Sequence, residues 1–124
     1  MHLSAITLII PEYDPAIAFY CGVMGFDLIE DVDQGRKRWV RVAPPGAQTG
    51  FILARADDDQ QRAAIGNQGA GRVWLFLRAD DFGAEFDHLT AAGVTFEEEP
   101  RHEPYGKVAV FRDPFGNRWD LLGD

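Results

Sequence analysis

The chain has 124 residues, enough for one ordinary domain with its own core, and its composition is globular at 46% hydrophobic and 26% charged. Twenty acidic residues against twelve Lys and Arg leave a formal charge of -8. That charge speaks against nucleic acid or an anionic membrane as a partner, because phosphates would be repelled, and it reads as a contribution to solubility.

Cys21 is the single cysteine, so no intrachain disulfide is possible; inside an expected helix beside Tyr20 it reads as a small packed residue rather than a nucleophile. The opening MHLSAITLIIPEYD has no basic leader, and Pro11 and Glu12 end its apolar run early. No stretch approaches the ~18 apolar residues of a membrane span, and a cytoplasmic location without membrane contact is expected.

Leu3 to Ile10 is rich in Ile, Leu and Thr and predicts a strand. In PEYDPAIAFYCGVMGF, Asp14 suits a helix cap, Pro15 its first turn, and Gly25 its stop, with Ile17, Tyr20 and Met24 at helical spacing. Strands are expected at Phe26 to Asp31, Lys37 to Val42 and Phe51 to Arg55, with a turn at Gln34-Gly35 and a loop through APPGAQTG. The segment 57–71 is rich in Gly and reads as a linker or lid whose middle can make one helical turn.

The second half repeats this order. Arg72 to Arg78 predicts a strand. A helix capped by Asp80 or Asp81 runs to Ala92, with Phe86 and Leu89 inward and Gly93 as its stop. Val94 to Glu97 predicts a strand, and Lys107 to Arg112 with Arg118 to Leu122 a hairpin whose DPFGN turn uses Pro114 and Gly116. The halves superpose at an offset of about 69 residues, in pattern more than in letters. The expected organisation is one domain of two modules, about 1–56 and 72–124.

Alternation along the strands sorts their side chains. Ile6, Leu8 and Ile10, then Val73, Leu75 and Leu77, then Trp119 and Leu121 form a nearly aliphatic set suited to packing under helices. The opposite set is mixed: Leu3, Ala5, Thr7 and Ile9; Trp74, Phe76 and Arg78; Arg118, Asp120 and Leu122. Aromatics beside arginines and an acid suit a ligand pocket with an apolar floor and few polar anchors. Asp120 is expected to point into such a cavity, to form an ion pair with Arg118, Arg41 or another arginine, or to do both.

The βαβββ order, twice, with DPAIAFYCGVMGF, ADDFGAEFDHLTAAGV and VAVFRDPFGNRWDLL, resembles the vicinal oxygen chelate superfamily over essentially the whole chain. That superfamily includes glyoxalase I, bleomycin-resistance proteins and extradiol dioxygenases. The resemblance implies an α+β fold in which two βαβββ modules form an open, barrel-like cleft, and it implies a homodimer. Its metal-dependent members carry ligands at positions that fall here on Ala5, Trp74, Leu53 or Ala54, and Asp120. Alanine, tryptophan and an aliphatic residue offer no useful lone pair, and one carboxylate does not make a metal site. His2, His88 and His102 read as surface residues. No metal and no cofactor are therefore expected.

These residues imply a member that binds a small organic ligand without a metal, in the manner of sequestering or resistance proteins. The expected lining is Thr7, Trp39, Arg41, Trp74, Phe76, Arg118 and Asp120, with Tyr105 at the rim and Trp74 offering a stacking surface. The run Glu97 to Glu99 reads as a solvated strand end. An alternative is a glyoxalase-like lyase or isomerase using Asp120 as general base, its pKa raised by burial among aromatics. A third reading is a regulatory subunit with a vestigial cleft.

Overall fold

A computed structural model describes all residues, 1–124. It is a mixed α+β structure that divides into two compact units, Met1–Ile65 and Gly66–Asp124, each with one four-stranded sheet.

The first unit holds β1 (Ala5–Ile10), α1 (Tyr13–Ile17), β2 (Asp27–Asp33), β3 (Arg38–Ala43), β4 (Gly50–Arg55) and α2 (Asp59–Ala64). Its sheet runs β1-β4-β3-β2, with β1 parallel to β4 and the other pairs antiparallel. The helix does not stop at α1. It widens into a π-helical stretch, Ala18–Val23, marked by the Met24 N–H donating to Phe19 O at 2.9 Å, and Gly25 ends it at φ 79°. Asp14 is not the cap. Glu12 holds that position without a side-chain bond, and the Asp14 carboxylate instead accepts from Arg38 at 2.7 Å, because a guanidinium offers a stronger charge-assisted bond than a backbone amide.

The second unit holds β5 (Leu75–Arg78), α3 (Phe82–Ala91), β6 (Arg101–Glu103), β7 (Gly106–Arg112) and β8 (Arg118–Gly123), in the order β5-β8-β7-β6. Asp81 is the α3 cap, its carboxylate accepting from Ala84 N at 3.0 Å, and Gly93 follows the helix at φ 92°. Three sequence expectations shift here. β5 begins at Leu75, although the Trp74 N–H still reaches Arg118 O at 3.0 Å. Val94 to Glu97 makes only one bridge, Phe96 to Phe111. The three-residue β6 takes the sheet edge instead.

Strand parity follows the alternation in β8 and for Leu8 and Ile10 of β1, whereas Ile6 is only half-buried and β7 is buried on both faces over Val108–Phe111. In the first unit Leu8, Ile10, Val40, Val42, Phe51 and Leu53 are buried, with Ala16, Phe19 and Tyr20 of the helical segment also in the core. In the second, Leu75, Phe111, Trp119 and Leu121 are buried together with Phe82 and Leu89 of α3. The Phe111 and Trp119 rings stack at 5.9 Å between centroids.

The DPFGN turn has an organiser beyond its Pro and Gly. Asp113, only 4% exposed, accepts from Phe115 N and Asn117 N at 3.0 Å, Asn117 Nδ2 at 2.8 Å and the Trp119 indole N–H at 3.1 Å. Gly116 sits at φ 100°, where a side chain would be strained. The turn thereby locks the register of β7 with β8, and with it the position of Asp120.

Candidate functional site

Each sheet has a face turned away from its helical core; Thr7, Trp39, Arg41, Phe76, Arg118 and Asp120 stand on strands at positions of these faces, whereas Trp74 precedes β5 and Tyr105 lies in a turn. In the first unit the register places Thr7, Ile52, Arg41 and Glu30 in one row across β1, β4, β3 and β2. The neighbouring row carries Ile9, Ala54, Trp39 and Val32, since Ile9 pairs with Ala54 and Val32 with Trp39. Trp39 is exposed, whereas Arg41 is tied down: it donates to Ser4 O at 2.7 Å and Gln48 O at 3.4 Å. Arg41 therefore braces the start of β1 rather than pairing with an acid.

In the second unit Phe76, Asp120 and Val110 align across β5, β8 and β7, next to Arg78, Leu122 and Val108. Phe76 is 64% exposed, a large apolar side chain with no covering partner within its own sheet. Trp74 is half-buried. Gly69 lies against it so closely that a Cβ there would meet Trp74 Cβ at 2.8 Å, so glycine at 69 admits the indole. Tyr105 is exposed in the turn between β6 and β7.

Asp120 is half-buried, and its Oδ1 is buried without a hydrogen-bond partner. It does not pair with Arg118 or Arg41. Arg118 donates to Glu97 at 2.9 Å and to Gly71 O at 2.9 Å. Arg101, the arginine that most favours the Asp120 carboxylate, is held by Glu98 at 2.9 Å and Glu103 at 2.6 Å. Two of the three residues of the glutamate run are thus arginine partners, Glu98 to Arg101 and Glu97 to Arg118, with Glu97 also 3.4 Å from Arg112. Desolvation raises the Asp120 pKa above the ordinary carboxylate value; Arg101 and Arg118 oppose this and Glu98 adds to it. The result is a carboxyl with an unfilled acceptor position, ready to take a hydrogen bond or to keep a proton.

Cys21 is partly buried, and burial with the nearby Asp27 pushes its thiol pKa up, so its thiolate is disfavoured. No three His, Cys, Asp or Glu side chains converge as the ligands of a metal ion would. No helix is long and apolar enough to cross a membrane.

Two units, each a four-stranded mixed sheet built in βαβββ order, define the class of protein. The chain belongs to the Glyoxalase/Bleomycin resistance protein/Dioxygenase superfamily, whose family model matches residues 2–121. It is 48% identical over 120 residues to an uncharacterised protein of Shewanella frigidimarina (strain NCIMB 400), covering 94% of this chain and 89% of that one. Among solved structures it is similar to UcmS2, at 32% identity and a TM-score of 0.84, covering 98% of this chain and 97% of the other. It is also similar to TnmS3, an antibiotic binding protein from Streptomyces sp. CB03234, at 29% identity and a TM-score of 0.79, covering 99% and 95%.

Proposed function

We propose that this protein binds a small organic ligand on the open faces of its sheets, without a metal, and acts by holding that ligand rather than by transforming it. The observation that carries this reading is the exposure of aromatic side chains on those faces: Phe76 at 64% and Trp39 at 38%. Exposed rings on a rigid sheet supply flat apolar contact at little entropic cost, and a few polar groups then fix orientation. Asp120 Oδ1, lacking a partner within the chain, is such a group. The similarity to an antibiotic binding protein supports the same reading. A thermal-shift screen against flat aromatic compounds, neutral and charged, tests it: saturable stabilisation by one chemical class is expected, and no response across a broad set refutes it.

A second reading is favoured by the same carboxyl. With its pKa raised and one oxygen free, Asp120 is placed to act as a general base in a lyase or isomerase reaction. Asp120→Asn separates the two: an enzyme loses turnover while keeping its ligand, whereas a binding protein changes only in affinity.

Pairing of two copies is part of the proposal. The edge strand β2 is exposed at all seven residues and carries Leu28, Ile29 and Val32 at 45%, 51% and 49% exposure. The strand also carries Asp27, Glu30, Asp31 and Asp33, so a second copy would cover the three aliphatic side chains while leaving these carboxylates at the rim.

A further inference from the structure

In a chain of net charge -8, four of the twelve cationic side chains gather at one end of the first sheet: Arg36, Lys37, Arg38 and Arg55. They surround a two-part hollow. The inner part, about 220 Å³, includes Tyr13, Trp39, Ile52 and Ala54 in its lining. The outer part, about 830 Å³, is lined by Gln34, Arg36, Lys37, Arg55 and Asp57, three cations to one carboxylate.

These cations differ in how far they are already satisfied. Arg38 is fully engaged, with Asp31 at 2.6 Å and Asp14 at 2.7 Å. Arg55 has its nearest carboxylate, Glu12, at 3.8 Å, and donates to Arg36 O at 2.8 Å. Its guanidinium also lies 5.2 Å from the centroid of the Tyr13 ring, which carries Arg38 at 5.3 Å. Tyr13 is only 5% exposed, and its hydroxyl accepts from Arg38 N at 3.2 Å, so the platform under the two guanidiniums is fixed. Arg36 and Lys37 make no side-chain bond, and they stand in a turn that the backbone closes by itself, Gln34 N–H to Lys37 O at 2.9 Å. Unpaired cations over a preformed hollow, with an indole at its inner wall, match an anion joined to an apolar body.

Resting on the ligand-binding reading above, we infer that this hollow is a subsite for the oxyanion head, carboxylate or phosphate, of an aromatic ligand. Arg36, Lys37 and Arg55 hold the head, and Trp39 lies against the apolar body. Asp57, the carboxylate in the outer lining, biases the site against a second negative group on the same ligand.

The test is calorimetric titration of the full chain with 2-naphthoate, 2-naphthyl phosphate and the neutral 2-naphthamide. It compares the parent with Arg36→Ala/Lys37→Ala, a variant that removes only unpartnered side chains and leaves the fold intact. At low salt an anionic probe is expected to bind about tenfold tighter than the amide, and the double variant to lose about that factor for the anion alone. Whichever anion shows the larger loss identifies the head. Equal affinity for all three probes, undiminished in the double variant, overturns the subsite and leaves the ligand-binding reading standing. No binding of any probe to the parent overturns both.

Discussion

Replacing Asp120 by Asn keeps the shape of the side chain and removes its charge. The parent carboxylate is partly desolvated, and its Oδ1 accepts no hydrogen bond. The two cations that favour it are discounted, since Arg101 is shared with Glu98 and Glu103, and Arg118 with Glu97. The raised pKa means that the folded protein holds this proton more tightly than the unfolded chain does. Ionisation therefore costs the fold stability as pH rises from the unfolded carboxylate pKa through the folded one, and the full cost persists above. Because the residue is only half-buried, that cost is about 1 kcal/mol or less, a gain of a few degrees in Tm for the variant. Thermal unfolding of parent and Asp120→Asn from acid to neutral pH reads it. The variant should be the more stable at pH 7, with the difference closing once pH falls below the unfolded carboxylate value. A variant that is less stable at neutral pH, or a difference that does not change with pH, would show that the carboxylate is satisfied.

The Asp113 turn should be costly to disturb: Asp113→Ala strands the buried Trp119 indole N–H and the Asn117 amide, and urea unfolding is expected to show a loss of about 3 kcal/mol. Gly116→Ala, at φ 100°, should cost about 1 kcal/mol in the same assay. Ile29→Lys/Val32→Lys on the exposed β2 edge should convert a dimer to a monomer in sedimentation equilibrium, and a parent that is already monomeric refutes the pairing.

Much of the fold was legible because its signals are local. Period-two alternation placed Leu8, Ile10, Leu75, Trp119 and Leu121 in the cores, and Thr7, Phe76 and Asp120 on the opposite faces. Two strand signals failed for the same local reason: Arg101–Glu103 is polar throughout and became a strand only by pairing with β7, while Val94 to Glu97, with its alternating Val94 and Phe96, made a single bridge. The electrostatics were not legible. Glu97 and Arg118 stand 21 residues apart, so their pairing required the folded register. The same holds for the basic hollow, where Arg36 and Lys37 from one turn meet Arg55 from the far end of β4. Asp113 was hidden behind the stronger turn signal of Pro114 and Gly116, although an Asp opening such a turn is itself a cue.

The central claim is that the sheet faces opposite the helices hold a small organic ligand. Its most direct test is a two-dimensional NMR titration with 2-naphthoate, following backbone amides and the tryptophan indole signals. The account predicts shifts concentrated at Trp39 and its neighbours Ile52 and Ala54, with the surface of α3 silent. Shifts confined to the helical surfaces, or none at saturating probe, would contradict it.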